Sequence, residues 1–415
     1  MPRLKKRTLD NGLRIVMERD EYAQKSSFYV GIRVGSVDED DNVSGISHFI
    51  EHLLFKSNKY RSAWEINRDM EYNGIDWDAY TTTSFTVVSE TAIPSKISKA
   101  IDIAYQMIEN NDYDSSEFEN ERNVVLSEIN MYKNDFKQLM SDLSTQALFK
   151  DTPLEKPTEG RVEVISRVTK NEVKDFKSRF YVPNNMAIII TGNFNEERVM
   201  KKIERTFGKM KPKKVEHPNL FKIPIENKTD IQIRKIDNLK NGYLGISLKV
   251  PGFARDYKDA ISLYLLEYIL AGGFSSRLYQ KLREERGIGY EINAIFENYG
   301  PVGRFFMYVE GLEKRRLDEA LDVMLTEIED IKNGNLKEDE FKGMKTLLLS
   351  RIYNKIDDIN ERASMFLFKE MGKYHEDYDP RKITRYIKDT KRNNVIDVVN
   401  KYFLDEYVIT AVIPV

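Results

Sequence analysis

The chain has 415 residues, 41% of them hydrophobic and 32% charged, which excludes a disordered polymer and predicts two domains or a few. Lys and Arg total 65 against 67 Asp and Glu, a net charge of -2, so no global field recruits nucleic acid or an anionic membrane. There is no cysteine, so disulfides, thiolate metal sites and a thiol nucleophile are impossible, and any transition metal must be held by histidine and carboxylate.

The segment from Met1 to Asp10 is basic but runs into Asn11-Gly12 and Glu18-Arg19-Asp20 without the apolar block of a signal peptide. No later run has the length of a membrane helix, and a soluble, cytoplasmic protein is expected. Strands are predicted at Gly12–Met17 and Phe28–Val34, then a helix after Ser44-Gly45 with Ile46, Phe49, Ile50, Leu53 and Leu54 as its apolar stripe. Each half is read as two opening strands, helices, a hairpin, further helices and a closing strand, with Thr81–Ser89 and Met186–Thr191 following in the first and Ile231–Ile236, Tyr243–Val250, Tyr290–Phe296, Arg304–Val309 and Val408–Val412 in the second. Strands and helices mix without strict alternation, which predicts an α+β fold.

The chain is read as a duplication. Glu117–Ile129 can be laid on Glu340–Ile352 at an offset of 223, with Glu, Phe, Leu, Ser and Ile in place. A second pair, Asn171–Phe176 leading to Met186–Ile190 and Asn393–Val398 leading to Val408–Val412, keeps nearly that offset. Residues 1–212 and 229–415 are therefore expected to be homologous halves, joined by a proline-bearing, charged linker at 213–228.

Two of the four histidines, His48 and His52, stand four residues apart with Glu51 between them. On a helix these three project together, and two imidazoles on adjacent turns suit Zn²⁺. A carboxylate beside them, unbound to metal, can take the proton of a water, which is the inverted H-x-x-E-H arrangement. His217 in the linker and His375 beside Glu376 and Asp377 are expected to be solvated bystanders. The third ligand is then a carboxylate, and Glu121 and Glu128 share a helix face two turns apart. One of them can bind metal while the other supports a ligand imidazole. The offset carries them to Met344 and Arg351, so the metal function belongs to the first half.

These blocks, with Leu9–Val16, Gly35–Glu39, Gly45–Lys56 and Tyr181–Asn185, resemble the pitrilysin/insulinase-type zinc peptidases. The resemblance is to the short-subunit branch that includes mitochondrial processing peptidase and bacterial relatives. It implies two homologous halves, each a mixed, mostly antiparallel sheet packed with helices. It also implies Zn²⁺ on His48, His52 and Glu128, which stands 76 positions beyond His52, with Glu51 as base and Glu121 as supporting acid. In the second half, Gly272–Tyr279 and Leu282–Tyr290 resemble the family equally, and the resemblance assigns Arg283 and Tyr290 to substrate contact. Asp78-Ala79 stands where the family has Asn-Ala, which puts that Asn's backbone contact to substrate in question, and Ser47 replaces the usual Ala. The implied activity is endopeptidase cleavage of unfolded peptides, bound as an added strand near Asp78–Thr81. The family's chamber of four half-units implies a homodimer, with each zinc facing Arg283 and Tyr290 of the partner. Two alternatives are a dedicated leader or propeptide peptidase and a non-catalytic assembly subunit, the latter expected to have lost the metal residues that this chain retains.

Overall fold

The computed structural model describes residues 3–415; Met1 and Pro2, which open the segment considered for targeting, lie outside the described residues. One six-stranded sheet joins β1 (Arg3–Thr8), β2 (Arg14–Arg19), β3 (Ser26–Ile32), β4 (Asp76–Thr81), β5 (Thr86–Ala92) and β6 (Met186–Gly192) in the order β1-β2-β6-β3-β5-β4. A five-stranded sheet joins β7 (Asp230–Ile236), β8 (Gly242–Pro251), β9 (Glu291–Asn298), β10 (Val302–Leu312) and β11 (Val408–Pro414) in the order β7-β11-β8-β10-β9. Each sheet has one parallel pair, β2 with β6 and β7 with β11, and is otherwise antiparallel. The α+β class and the mostly antiparallel sheets match the expectation. Helices α1 (Ile46–Leu53), α2 (Ala63–Tyr72), α3 (Ile97–Glu109), α4 (Ser115–Lys133), α5 (Phe136–Leu148), α6 (Val162–Ile165), α7 (Lys170–Phe180) and α8 (Glu196–Arg205) precede β7. Helices α9 (Tyr257–Ala271), α10 (Leu317–Lys332), α11 (Glu338–Asp357), α12 (Ile359–Glu370), α13 (Ile383–Asp389) and α14 (Arg392–Tyr402) follow it.

Two elements depart from the sequence reading. Strand β1 was not expected, because its cationic sequence lacks an apolar alternation; it is an edge strand, where exposed Lys and Arg are tolerated and block further pairing. The hairpin expected after the opening strands is present, but it extends beyond the Thr81–Ser89 bounds read from the sequence, with β4 and β5 spanning Asp76–Ala92. Its turn is closed by the Thr82 N–H and hydroxyl, which donate to the Phe85 carbonyl at 2.9 and 3.0 Å. Local side-chain bonds from a run of hydroxyl residues compete with strand continuation there.

Period-two alternation sorts the first sheet into two buried faces. Ile15, Met17, Phe28, Val30, Ile188 and Ile190 join one core with α1, α3 and α4, while Val16, Tyr29, Val87, Ala187 and Ile189 pack against α12 through Ala363, Phe366 and Leu367. Gly31 makes the second contact possible, since a Cβ there would lie 2.5 Å from Leu367 Cδ1. On the second sheet, Met140 of α5 packs with Phe306, Tyr308 and Val412. There the buried Arg304 donates to the Ser141 carbonyl at 2.9 Å and Thr145 Oγ1 at 2.6 Å, and pairs with Glu297 at 2.7 Å.

The chain forms two compact units, with a boundary at Pro218/Asn219 inside the expected linker. Two segments cross that division. Tyr132–Glu155, carrying α5, belongs to the second unit, and Lys355–Met371, carrying α12, belongs to the first. The exchange obeys the duplication: α5 and α12 begin at positions related by the same offset. Their N-caps, Asp135 and Asp358, each accept from the backbone N–H groups two and three residues on.

Candidate metal centre

Helix α1 begins at Gly45, whose φ of 91° is left-handed and where a Cβ would lie 2.6 Å from the Gly160 Cα, so glycine is required there. Gly45 has no side chain with which to cap the helix, and Glu39 does so instead. This buried carboxylate accepts the N–H groups of Gly45 at 2.6 Å and Ser47 at 2.9 Å. With Ile46, Phe49, Ile50 and Leu53 committed to the core, His48, Glu51 and His52 are left on the stripe beside α4.

Helix α4 brings Glu128 to both histidines. Its Oε2 lies 3.2 Å from His52 Nε2 and 3.8 Å from His48 Nε2, and the two Nε2 atoms are 3.3 Å apart. Four-coordinate zinc with bonds of about 2.0–2.1 Å to such ligands spaces them roughly 3.3–3.4 Å apart. The chemistry of the donors agrees with this geometry. His52 Nδ1 faces the Glu121 carboxylate at 3.0 Å and so carries a proton, which in the neutral imidazole leaves Nε2 as the nitrogen with the lone pair. Burial and the neighbouring His52 push His48 down to about 4, keeping it a neutral imidazole near pH 7. Two such nitrogens and a carboxylate oxygen converging at these distances suit a dication. No other His/Asp/Glu group among the described residues converges in this way.

Glu121 divides its oxygens between His52 and Lys56, whose Nζ lies 2.5 Å from Oε2. Burial raises the Glu121 carboxyl, but its bonds to His52 and Lys56 outweigh that and hold it below its usual value. His52 is affected in the converse way: burial lowers it, and the surrounding Glu121, Glu51 and Glu128 carboxylates raise it overall. One turn earlier on α4, Glu117 accepts the Ser57 backbone N–H at 2.9 Å and its hydroxyl at 2.6 Å. Among the described residues His48 Nδ1 has no hydrogen-bond partner, so His52 is the more firmly oriented of the two imidazoles.

Glu51 stands on the same stripe and takes no part in this cluster. Its Oε2 accepts the Thr81 hydroxyl at 2.8 Å, and burial pushes its carboxyl up to about 7 against the effect of that bond. Thr81 ends β4, the edge strand of the first sheet, which also carries Asp78 and Ala79. Asp78 is exposed, and its Oδ1 accepts the N–H of Ala79 at 2.9 Å.

In the second unit, Arg283 lies in a wide helical turn at Tyr279–Glu284, and Tyr290 stands just before β9 with its N–H donating to the Glu310 carbonyl at 2.7 Å. The Arg283 guanidinium sits 5.0 Å from the centre of the Tyr290 ring and donates to the Tyr290 carbonyl, so each fixes the other. Tyr290 is 74% exposed, with its ring available to a ligand.

The reading of His217 as solvated is corrected. Its Nδ1 lies 2.7 Å from Asp38 and its Nε2 2.9 Å from Asn185 Oδ1, a bridge between distant loops that local sequence could not reveal. His375 accepts the Asp377 N–H at 3.2 Å and is partly exposed. The contacts made by Lys56, Thr81, Glu39 and Glu117 were also missed. Lys56 and Glu117 stand four residues from His52 and Glu121, the helical spacing that could have pointed to them.

Comparison with known proteins supplies the wider context. Residues 14–161 match the family model described as insulinase (peptidase family M16), and residues 167–348 match the one described as peptidase M16 inactive domain. An uncharacterized zinc protease of Mycobacterium leprae is 29% identical over 371 residues, 88% of this chain and 82% of that protein. The uncharacterized zinc protease YmxG of Bacillus subtilis is 25% identical over 417 residues, 99% and 98% of the two chains. The crystal structure of a protease from Helicobacter pylori has the same fold, with a TM-score of 0.93 at 21% identity over the whole of both chains.

Proposed function

Because the chain belongs to the insulinase family of M16 peptidases, we propose that it is a zinc-dependent endopeptidase that hydrolyses internal bonds of unfolded peptides. The observation that carries this reading is the convergence of His48 Nε2, His52 Nε2 and Glu128 Oε2 beside a separate carboxylate, Glu51. Zinc held by those three residues supplies Lewis acidity, making water more acidic and a peptide carbonyl more electrophilic. Glu51 takes the proton of the attacking water and delivers it to the leaving amine, and the Thr81 hydroxyl holds the carboxylate in place for both transfers. His52 keeps its lone pair on Nε2 because Glu121 fixes the proton on Nδ1.

The substrate pairs as an additional strand on β4, whose outer edge carries Asp78 and Ala79, so recognition is through the main chain and tolerates varied sequences. Tyr290 donates its phenol to the developing oxyanion, and Arg283 holds a substrate carbonyl nearby. In this proposal the protein is a homodimer, each zinc site being completed by Arg283 and Tyr290 of the partner subunit. A cytoplasmic location is part of the same proposal. No helix among the described residues is long and apolar enough to cross a membrane.

Digestion of a mixed peptide library, with cleavage sites mapped by mass spectrometry, tests this function. Zinc-dependent internal cuts in many unrelated peptides are expected. Cuts confined to one motif would identify a dedicated processing enzyme, and no cuts by the zinc-loaded protein would contradict peptidase activity.

A further inference from the structure

We propose that Lys56 is a positioning residue for zinc, which sets the orientation of Glu121 and through it the ligand imidazole of His52. The inference rests on the zinc-peptidase reading and extends it one step outward from the site. Its basis is a chain of contacts: Lys56 Nζ to Glu121 Oε2 at 2.5 Å, then Glu121 Oε1 to His52 Nδ1 at 3.0 Å. Glu121 is only 7% exposed, so water has little access to replace a lost partner. A carboxylate turns freely about its terminal torsion unless both oxygens are engaged. With Lys56 on one oxygen, the other has a single direction, toward the imidazole N–H.

Lys56 is itself held in place. Its N–H donates to the Leu53 carbonyl at 3.2 Å, and the next residue, Ser57, is clamped by Glu117 through two hydrogen bonds. Glu117 and Glu121 are one turn apart on α4, so the helix that supplies Glu128 also fixes the backbone from which Lys56 reaches. An ordinary surface ion pair would hold neither partner so tightly; here the Lys56 and Glu121 side chains are 28% and 9% exposed.

A merely structural tie between α1 and α4 would also use this ion pair, so the test must read the metal. Zinc affinity of the full chain, stripped of metal, is measured by competition with a chromophoric chelator for wild type, Lys56→Met, Lys56→Gln, Lys56→Arg and Glu121→Gln, and for Lys56→Met combined with Glu121→Gln. Loss of a direct supporting partner typically weakens a metal site about 10- to 100-fold. One step further out, Lys56→Met and Lys56→Gln are expected to weaken zinc binding roughly 5- to 10-fold, and Lys56→Arg less than about twofold. In the Glu121→Gln background Lys56→Met should add less than about twofold, because its effect passes through that carboxylate. Loss of the cation beside a buried carboxylate also lowers the unfolding temperature of the metal-free variants, so zinc affinities are compared at a temperature where every variant is folded. Wild-type-like zinc affinity in both neutral variants overturns the inference, as does an undiminished effect in the Glu121→Gln background. A wild-type chain that binds no zinc overturns the zinc-peptidase reading as well, whereas unchanged variants beside a tightly binding wild type overturn only the role of Lys56.

Discussion

Glu51 on α1 and Thr81 at the end of β4 are joined by a 2.8 Å hydrogen bond, so the residue proposed as general base is anchored to the strand proposed to receive substrate. A peptide added to β4 would therefore be positioned relative to its base through one side-chain contact.

The first expectation concerns that contact. Glu51→Gln should lower kcat by about 10²–10⁴, the range for a lost general base, while the protein still binds one zinc per chain. Thr81→Val leaves the carboxylate but frees it, and a loss of about tenfold in kcat with little change in zinc content is expected, on the scale of one modest hydrogen bond. Cleavage rates of an unstructured peptide, with zinc measured on the same samples, check both. Full activity in Glu51→Gln would remove that residue from the mechanism.

A second expectation follows from the proposed completion of the site across a homodimer. Glu51→Gln and Tyr290→Phe are each expected to be nearly inactive alone. After subunit exchange, one of the two sites in each hybrid dimer combines an intact Glu51 with an intact Tyr290. Mixing should then restore part of the activity. No recovery, with exchange verified by mass spectrometry, would argue against sharing of sites between subunits.

A third expectation lies in the second unit. Arg304 is buried and divides its donors among Glu297, Ser141 and Thr145, so it fastens α5 to β10. Arg304→Met leaves Glu297 without its cation, and breaking such a pair typically costs about 3 kcal/mol or more. Adding Glu297→Met should recover much of that loss. Urea unfolding of the three proteins measures both effects; a single substitution costing under about 1 kcal/mol would show that the network contributes little.

A fourth expectation depends on pH. Glu90, on β5, is fully buried, has no hydrogen-bond partner among the described residues, and is raised well above its usual value by burial. Since the folded state holds this proton more tightly than the unfolded chain does, stability falls as pH rises above the ordinary carboxyl range near 4.5. Glu90→Met removes the ionisable group and should stabilise the protein by about 1–3 kcal/mol at pH 8, with a smaller gain at pH 5. Urea midpoints at the two pH values check this, and a gain independent of pH would contradict it.

The site was more legible in the sequence than the packing around it. His48, Glu51 and His52 are local, and helical spacing alone puts them on one stripe. Glu121 and Glu128 could be paired by their spacing, but choosing between them as ligand needed the resemblance. Lys56 and Thr81 contact residues 65 and 30 positions away respectively, which no local pattern encodes. The exchange of α5 and α12 was hidden for a related reason. Neither pair of repeated blocks read in the sequence includes α5 or α12, and no local pattern in either helix identifies the sheet it covers. His217 was misread because a polar, proline-rich linker normally leaves its side chains in water, whereas Asp38 and Asn185 capture this one.

The most direct test of the account is a zinc titration of the metal-free chain, following the rate at which it cleaves an unstructured peptide. Activity should rise linearly and saturate at one zinc per chain, and Glu128→Ala should show no such saturation. Stoichiometric zinc binding without any peptide cleavage, or cleavage undiminished in the metal-free protein, would contradict a peptidase that works through His48, His52 and Glu128.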